Sequence, residues 1–269
     1  MTVCIAAICR EDKESRIVVC ADKRAGSVLG NSETAMKLRP IGKNWQMLTA
    51  GGATDIEAIH RLYGLRFASF TPDYANIDEN LKAPFIDRKR ALANDFTQGK
   101  FGLSYQDFLA LGKEKLPNEI FVSAMQKISA LDCGCELILT GFIGSFPEVY
   151  QAEASGKVTP VTDFAVIGEG AYLAAASLMR RQQDTMTSLE QTLYNVFEAK
   201  TYAEGVGSVG KATTLAIVEP VESGAKVKFV SVQLLIELES MVGKYGPKQL
   251  PDDLKFESKL YSEKQVHLD

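Results

Sequence analysis

The stretch TVCIAAIC, residues 2–9, decides how the chain folds. It is apolar and rich in β-branched residues, and it is answered by RIVVCAD, residues 16–22, across the charged REDKES, residues 10–15. Two apolar runs of this length around a solvated connection predict two antiparallel strands. AMKLRPIG (35–42) and NWQMLTAGG (44–52) repeat the pattern across GKN. Four strands are therefore expected first, as two hairpins in series. Side chains alternate along a strand, so Thr2, Cys4, Ala6 and Ile8 share one face, and Val3, Ile5 and Ala7 share the other. This puts Thr2 at the mouth of the sheet.

Working outward, ATDIEAIHRLYGLRF (53–67) places Ile56, Ile59 and Leu62 or Tyr63 on one side of a helix. The segment from Thr71 to Lys100 is charge-rich, contains two prolines and has weak periodicity, and it reads as a partly ordered insertion. Helical spacing resumes in SYQDFLALGKEKL and NEIFVSAMQKISAL. CELILTGFI and EVYQAEA then predict strands joined by a turn at GSFP, followed by the short apolar run FAVIGEG. Two further helices are expected in AYLAAASLMRRQQ and SLEQTLYNVFEAKTYA, the second with Ser188 as N-cap. TTLAIVEP and KVKFVSV close the sheets. Two helical blocks set between strand blocks predict an α+β fold, a four-layer αββα sandwich with two antiparallel sheets between helical layers. Residues 1–232 form one domain with the insertion near 71–100, and 233–269 are a C-terminal helical extension and tail.

Nearly half of the 269 residues are apolar, enough for a substantial core without staples. The net charge of −4 comes from mixed signs spread along the chain, a poor match to nucleic acid or an anionic membrane. No stretch approaches the length of a membrane span, and the first residues lack the basic region of a signal peptide, so a cytoplasmic protein is expected. The cysteines Cys4, Cys9, Cys20, Cys133 and Cys135 sit in apolar or Gly-flanked runs, as reduced core cysteines do. The CGC pair lacks metal-ligand spacing, and His60 and His267 are the only histidines, neither near a cysteine nucleophile in sequence.

Thr2 follows Met1 directly, and its small side chain permits removal of the methionine. A threonine with a free α-amine carries both nucleophile and base, because such an amine titrates near pH 7.7–8.0. The neighbouring strand ends supply further groups. Asp22 ends the second strand, Lys37 lies in the third, and Gly51 and Gly52 end the fourth. A lysine beside Thr2 lowers the cost of alkoxide, a carboxylate orients that lysine, and an unobstructed Gly51 N–H can receive an oxyanion.

ADKRAG (21–26), MKLRPI (36–41) and AGGATD (50–55), behind a strand that opens on threonine, resemble the β-type subunits of proteasomes and their bacterial relatives among the N-terminal-nucleophile hydrolases. The resemblance extends, more loosely, to about Val218. It implies Thr2 as nucleophile, Asp22 and Lys37 as its charge-relay partners and Gly51 as oxyanion donor. It also implies substrate-binding roles for Arg24, Gly26, Thr49, Gly52 and Ala53. YAEGVGSVGKATT matches the family's later acidic and serine positions loosely through Glu204 and Ser208, for each of which helix-end capping is the favoured role. GEG at 168–170 puts Glu169 where the family has a serine that organises the amine. The insertion and the tail depart from the common subunit pattern.

The expected activity is hydrolysis of amide bonds, in peptides, through an acyl-enzyme on Thr2, without a cofactor and within a homo-oligomer. Regulatory partners are not specified by the sequence. Two alternatives keep the fold: a catalytically silent assembly subunit that retains Met1, and an amidase acting on a small non-peptide amide. The opening strand, with no helix before it, argues against the family's inactive gate-forming subunits.

Overall fold

In the computed structural model, which describes residues 2–27, 30–43, 45–68, 72–222, 224–246 and 254–255, the opening stretch forms β1 (Cys4–Glu11). Its partner is β2 (Glu14–Asp22), and the ladder runs from Cys4 opposite Ala21 to Glu11 opposite Glu14. Asp12 and Lys13 both take positive φ in the two-residue turn, the conformation whose twist suits a hairpin. A small ribbon follows, β3 (Ala25–Ser27) with β4 (Gly30–Ser32), which the sequence pattern did not foresee. Next come β5 (Leu38–Pro40) and β6 (Trp45–Gly51). The second hairpin therefore forms, but in the other sheet from the first.

The first sheet runs β10-β1-β2-β11-β12, with β10 at Phe164–Ile167, β11 at Thr213–Val221 and β12 at Gly224–Phe229. The second runs β5-β6-β7-β8-β9, with β7 at Cys135–Ile143, β8 at Phe146–Ala152 and β9 at Val158–Pro160. Every ladder in both sheets is antiparallel. The αββα architecture follows from how strand alternation distributes the apolar side chains. Cys4, Ala6 and Ile8 of β1 pack against Leu48, Ala50 and Ile138 of the opposite sheet. Val3, Ile5 and Ala7 face outward, under α5 (Ala171–Arg180), α6 (Leu189–Ala203) and α7 (Val232–Tyr245). On the far side, Trp45, Met47 and Leu139 are covered by α1 (Ala53–Phe67) and α2 (Ile77–Phe101). Each such Val, Leu or Ile contributes about 1.5–3 kcal/mol by leaving water.

The charge-rich segment is helical from Ile77 onward, where partial order was expected; Thr71 lies outside the described residues. Ile77, Leu81 and Phe85 recur at a spacing of four and bury one stripe against the second sheet, and the charges occupy the rest of the surface. The far half of α2 has its own small core. Ala93 packs there with Phe108 of α3 (Tyr105–Lys115) and with Ala124 and Ile128 of α4 (Asn118–Ser129).

Ser188 caps α6 as expected, its hydroxyl accepting the Gln191 N–H. α7 buries Leu234 and Leu238 in the same layer as α5 and α6. Of the C-terminal tail, 247–253 and 256–269, with His267, lie outside the described residues. Among the described residues no helix is long and apolar enough to cross a membrane.

Candidate active site

The register of the first hairpin builds the site. Asp22 N donates to Val3 O at 3.2 Å, and the Val3 N–H returns a bond to Asp22 Oδ1 at 2.9 Å. The carboxylate is thereby fixed one residue from Thr2. Its other oxygen, Oδ2, accepts the backbone N–H of Gly210 at 3.0 Å and of Arg24 at 3.1 Å. Asp22 is wholly buried, so an ionised carboxylate there requires such donors and a cation.

Lys37 supplies the cation. Its carbonyl is held by the Thr49 N–H at 3.1 Å, which ties the residue to β6 just before β5 begins. Its Nζ donates to Asp22 Oδ1 at 2.8 Å and to Thr2 Oγ1 at 2.5 Å. Thr2 is 6% exposed and Lys37 7%. A buried ammonium thus sits between a carboxylate and a hydroxyl, the arrangement that lowers the cost of removing the hydroxyl proton.

Gly51 ends β6 with φ +123°, and a Cβ there would lie 2.4 Å from Gly134 O. Both facts require glycine. Gly52 N donates to Gly134 O at 2.9 Å. Because antiparallel ladders alternate, the Gly51 N–H lies on the other edge of β6, beyond the end of β5. A cavity of about 600 Å³ opens here, lined by Thr2, Gly51, Gly52, Gly134, Glu136 and Glu169 among others.

The GEG segment closes against the Thr2 backbone. Gly168 has φ +90°, and a Cβ on it would come within 2.3 Å of Thr2 O, which accepts the Gly170 N–H at 3.3 Å. The segment can wrap the start of β1 only because glycine flanks Glu169. Ser208 Oγ donates to Glu169 Oε2 at 2.8 Å, so Ser208 reaches the cavity through Glu169.

Lys37 Nζ bridges Thr2 and Asp22, and Gly51, Gly52 and Glu169 line the cavity together with Thr2. Glu204 is placed elsewhere: it caps the C-terminus of α6 and accepts from Lys200 Nζ at 2.6 Å. Arg24 contributes its backbone N–H, while its side chain turns to Glu33 at 2.8 Å and Gly207 O at 2.9 Å. Gly26 lies in the β3 ribbon opposite Asn31, Thr49 is buried in β6, and Ala53 is exposed at the start of α1.

Glu136 was not anticipated. It lines the cavity, and its Oε2 accepts the Gly168 N–H at 3.0 Å, joining β7 to the GEG turn. A lone carboxylate in the otherwise apolar CELILTGFI was the available signal.

The cysteines do not compete as nucleophiles. Burial pushes the Cys135 thiol beside the cavity up to about 12 and Cys133 up to about 11. Cys4, under the site, is also raised by burial, and all five cysteines are buried and free. No protein-family model matches the chain, and no curated protein matches it.

Proposed function

We propose that the chain is a threonine-type N-terminal-nucleophile hydrolase that cleaves amide bonds, in peptides, after Met1 has been removed. The observation that carries this reading is the Lys37 ammonium, held by the buried Asp22 and donating to Thr2 Oγ1 at 2.5 Å beside a cavity. A buried cation that donates to a hydroxyl favours its alkoxide.

In the proposed sequence the freed α-amine of Thr2 takes the hydroxyl proton as Oγ1 attacks the substrate carbonyl carbon. The Gly51 N–H is the donor assigned to the oxyanion that forms. The C–N bond then breaks, and the proton passes from the α-amine to the leaving amine. Water attacks the resulting ester, giving its proton to the same α-amine. The carboxylic acid departs, and Oγ1 regains its proton. A cytoplasmic homo-oligomer is the assembly and setting that go with this reading.

The test combines intact mass with peptidyl aminocoumarin, casein and small-amide substrates. Processed protein that starts at Thr2 is expected to hydrolyse a peptide substrate, and protein blocked by an N-terminal tag is expected to be inactive. Equal rates in the two forms would overturn the role of Thr2, and turnover of small amides alone would favour the amidase.

A further inference from the structure

Among the described residues that line the cavity beside Thr2, Glu136 and Glu169 bear carboxylates and none is a lysine, arginine or histidine. The two carboxylates come from different elements. Glu136 shares a face of β7 with Ile138 and Phe142, which belong to the core between the sheets. It extends that face past the edge of the core, as Thr2 extends the face of Cys4 and Ala6 from the opposite sheet. Glu169 projects from the turn between β10 and α5.

Each carboxylate is steadied through one oxygen. Gly168 N donates to Glu136 Oε2 and Ser208 Oγ to Glu169 Oε2, and among the described residues neither Glu has an ion-pair partner. Their neighbours differ. Asp22 is paired with Lys37, Asp55 with Arg88 at 2.6 Å and Glu204 with Lys200. Two like charges on one concave wall favour an incoming cation, and a hollow of about 600 Å³ has the size of a ligand pocket.

We propose that this cavity selects substrates with a cationic side chain, a lysine ammonium or arginine guanidinium, next to the amide that Thr2 attacks. The proposal rests on the hydrolase reading and names its substrate class. Glu136 and Glu169 are the specificity-determining residues, each offering its second oxygen to the cation.

The experiment uses processed full-length protein and three peptidyl aminocoumarins with lysine, norleucine or glutamate beside the scissile amide. The lysine substrate is expected to exceed norleucine at least about tenfold in kcat/KM, the scale of a charge-assisted hydrogen bond, with glutamate lowest. Glu136→Gln and Glu169→Gln keep an acceptor for the Gly168 N–H and for Ser208 while removing the charge. Each is expected to reduce the lysine-to-norleucine ratio several-fold, and the double variant to bring it near one. A ratio near one in the parent, or one unmoved by both variants, overturns the proposal.

A second arm needs no turnover: Thr2→Ala protein is titrated with N-acetyl-lysine amide and N-acetyl-norleucine amide by calorimetry. Tighter binding of the lysine amide, lost in Thr2→Ala/Glu136→Gln, supports the cation site even where the processed parent hydrolyses none of the substrates, a result that sinks the hydrolase reading alone. Equal binding of the two amides by a protein that hydrolyses norleucine and glutamate peptides sinks the cation site alone.

Discussion

Two clusters of buried charge can be compared, Asp22 with Lys37 at the end of the first sheet and Glu198 with its arginines in the helical layer. Both carboxylates are wholly buried. Glu198 accepts from Arg181 at 2.7 and 2.8 Å, Arg180 at 3.0 Å, Tyr194 at 3.1 Å and Ser177 at 3.4 Å. Those donors converge on one carboxylate. Asp22 is held largely by backbone N–H groups, which leaves Lys37 a hydrogen for the Thr2 hydroxyl. Burial of charge alone therefore does not mark a site; a cation with a donor to spare, beside a hydroxyl and a cavity, does.

The largest expected effects fall on the first cluster and concern activity. Thr2→Ala should abolish turnover, and Lys37→Ala should lower it by roughly a hundredfold or more, by analogy with removing other electrostatic stabilisers. Thr2→Ala deletes one hydroxyl at a strand end, so its unfolding free energy in urea should stay within about 1 kcal/mol of the parent. Full activity in Thr2→Ala would erase the distinction between the clusters.

The second cluster should show the reverse pattern. Glu198→Ala leaves Arg181, 8% exposed at its side chain, without its carboxylate, and breaking such a pair costs about 3–5 kcal/mol. The rate per folded molecule should be retained. A variant of normal stability but low activity would show that Glu198 belongs to the site after all.

Much of this comparison was legible in the sequence, for local reasons. The β1–β2 hairpin brings Thr2 to Asp22 through its register, and that register follows from two apolar runs around a charged turn. The Gly51–Gly52 turn also announced itself, because the backbone at Gly51 accepts only glycine. Glu136 was illegible because its partner, the Gly168 N–H, is 32 residues away, across the two sheets. The capping role of Glu204 was legible in the helical pattern before it, whereas its partner Lys200, one helical turn earlier, was not. The helix α2 was hidden because only one stripe of its first half packs on the sheet, and its second half builds a core with two later helices.

A smaller effect is expected from pH. Burial by itself would raise the Glu198 pKa, but the hydrogen bonds and charge of Arg181, with Tyr194 and Arg180, outweigh it and leave the carboxyl below its ordinary value. The unfolded chain then binds the proton more readily than the folded one. The stabilisation is fully present above the unfolded value of about 4.3 and is lost as pH falls through the lower folded value. Urea midpoints measured from pH 6 down to pH 3 should fall less steeply below about pH 4.3 in Glu198→Gln than in the parent. Parallel curves would mean that Glu198 is not the group being protonated.

The smallest effect sharpens the contrast from outside both clusters. Arg88, on α2, donates to Asp55 Oδ1 at 2.6 Å, and Asp55 stands directly behind the cavity wall, where a Cβ on Gly134 would lie 2.5 Å from its Oδ2. Gly134 O in turn holds the Gly52 N–H. The long helix is thus tied by one ion pair to the turn that presents Gly51. Arg88→Ala should change stability by no more than about 1 kcal/mol, since both partners keep contact with solvent. A turn allowed to drift by a fraction of an ångström misplaces an oxyanion donor, so kcat should fall several-fold while KM barely moves, and Arg88→Lys should restore part of the loss. The discriminating comparison is Lys89→Ala on the same helix, whose Nζ donates at 3.2 Å to Ser155 O. An equal loss there would assign the effect to docking of the whole helix rather than to the Arg88–Asp55 pair.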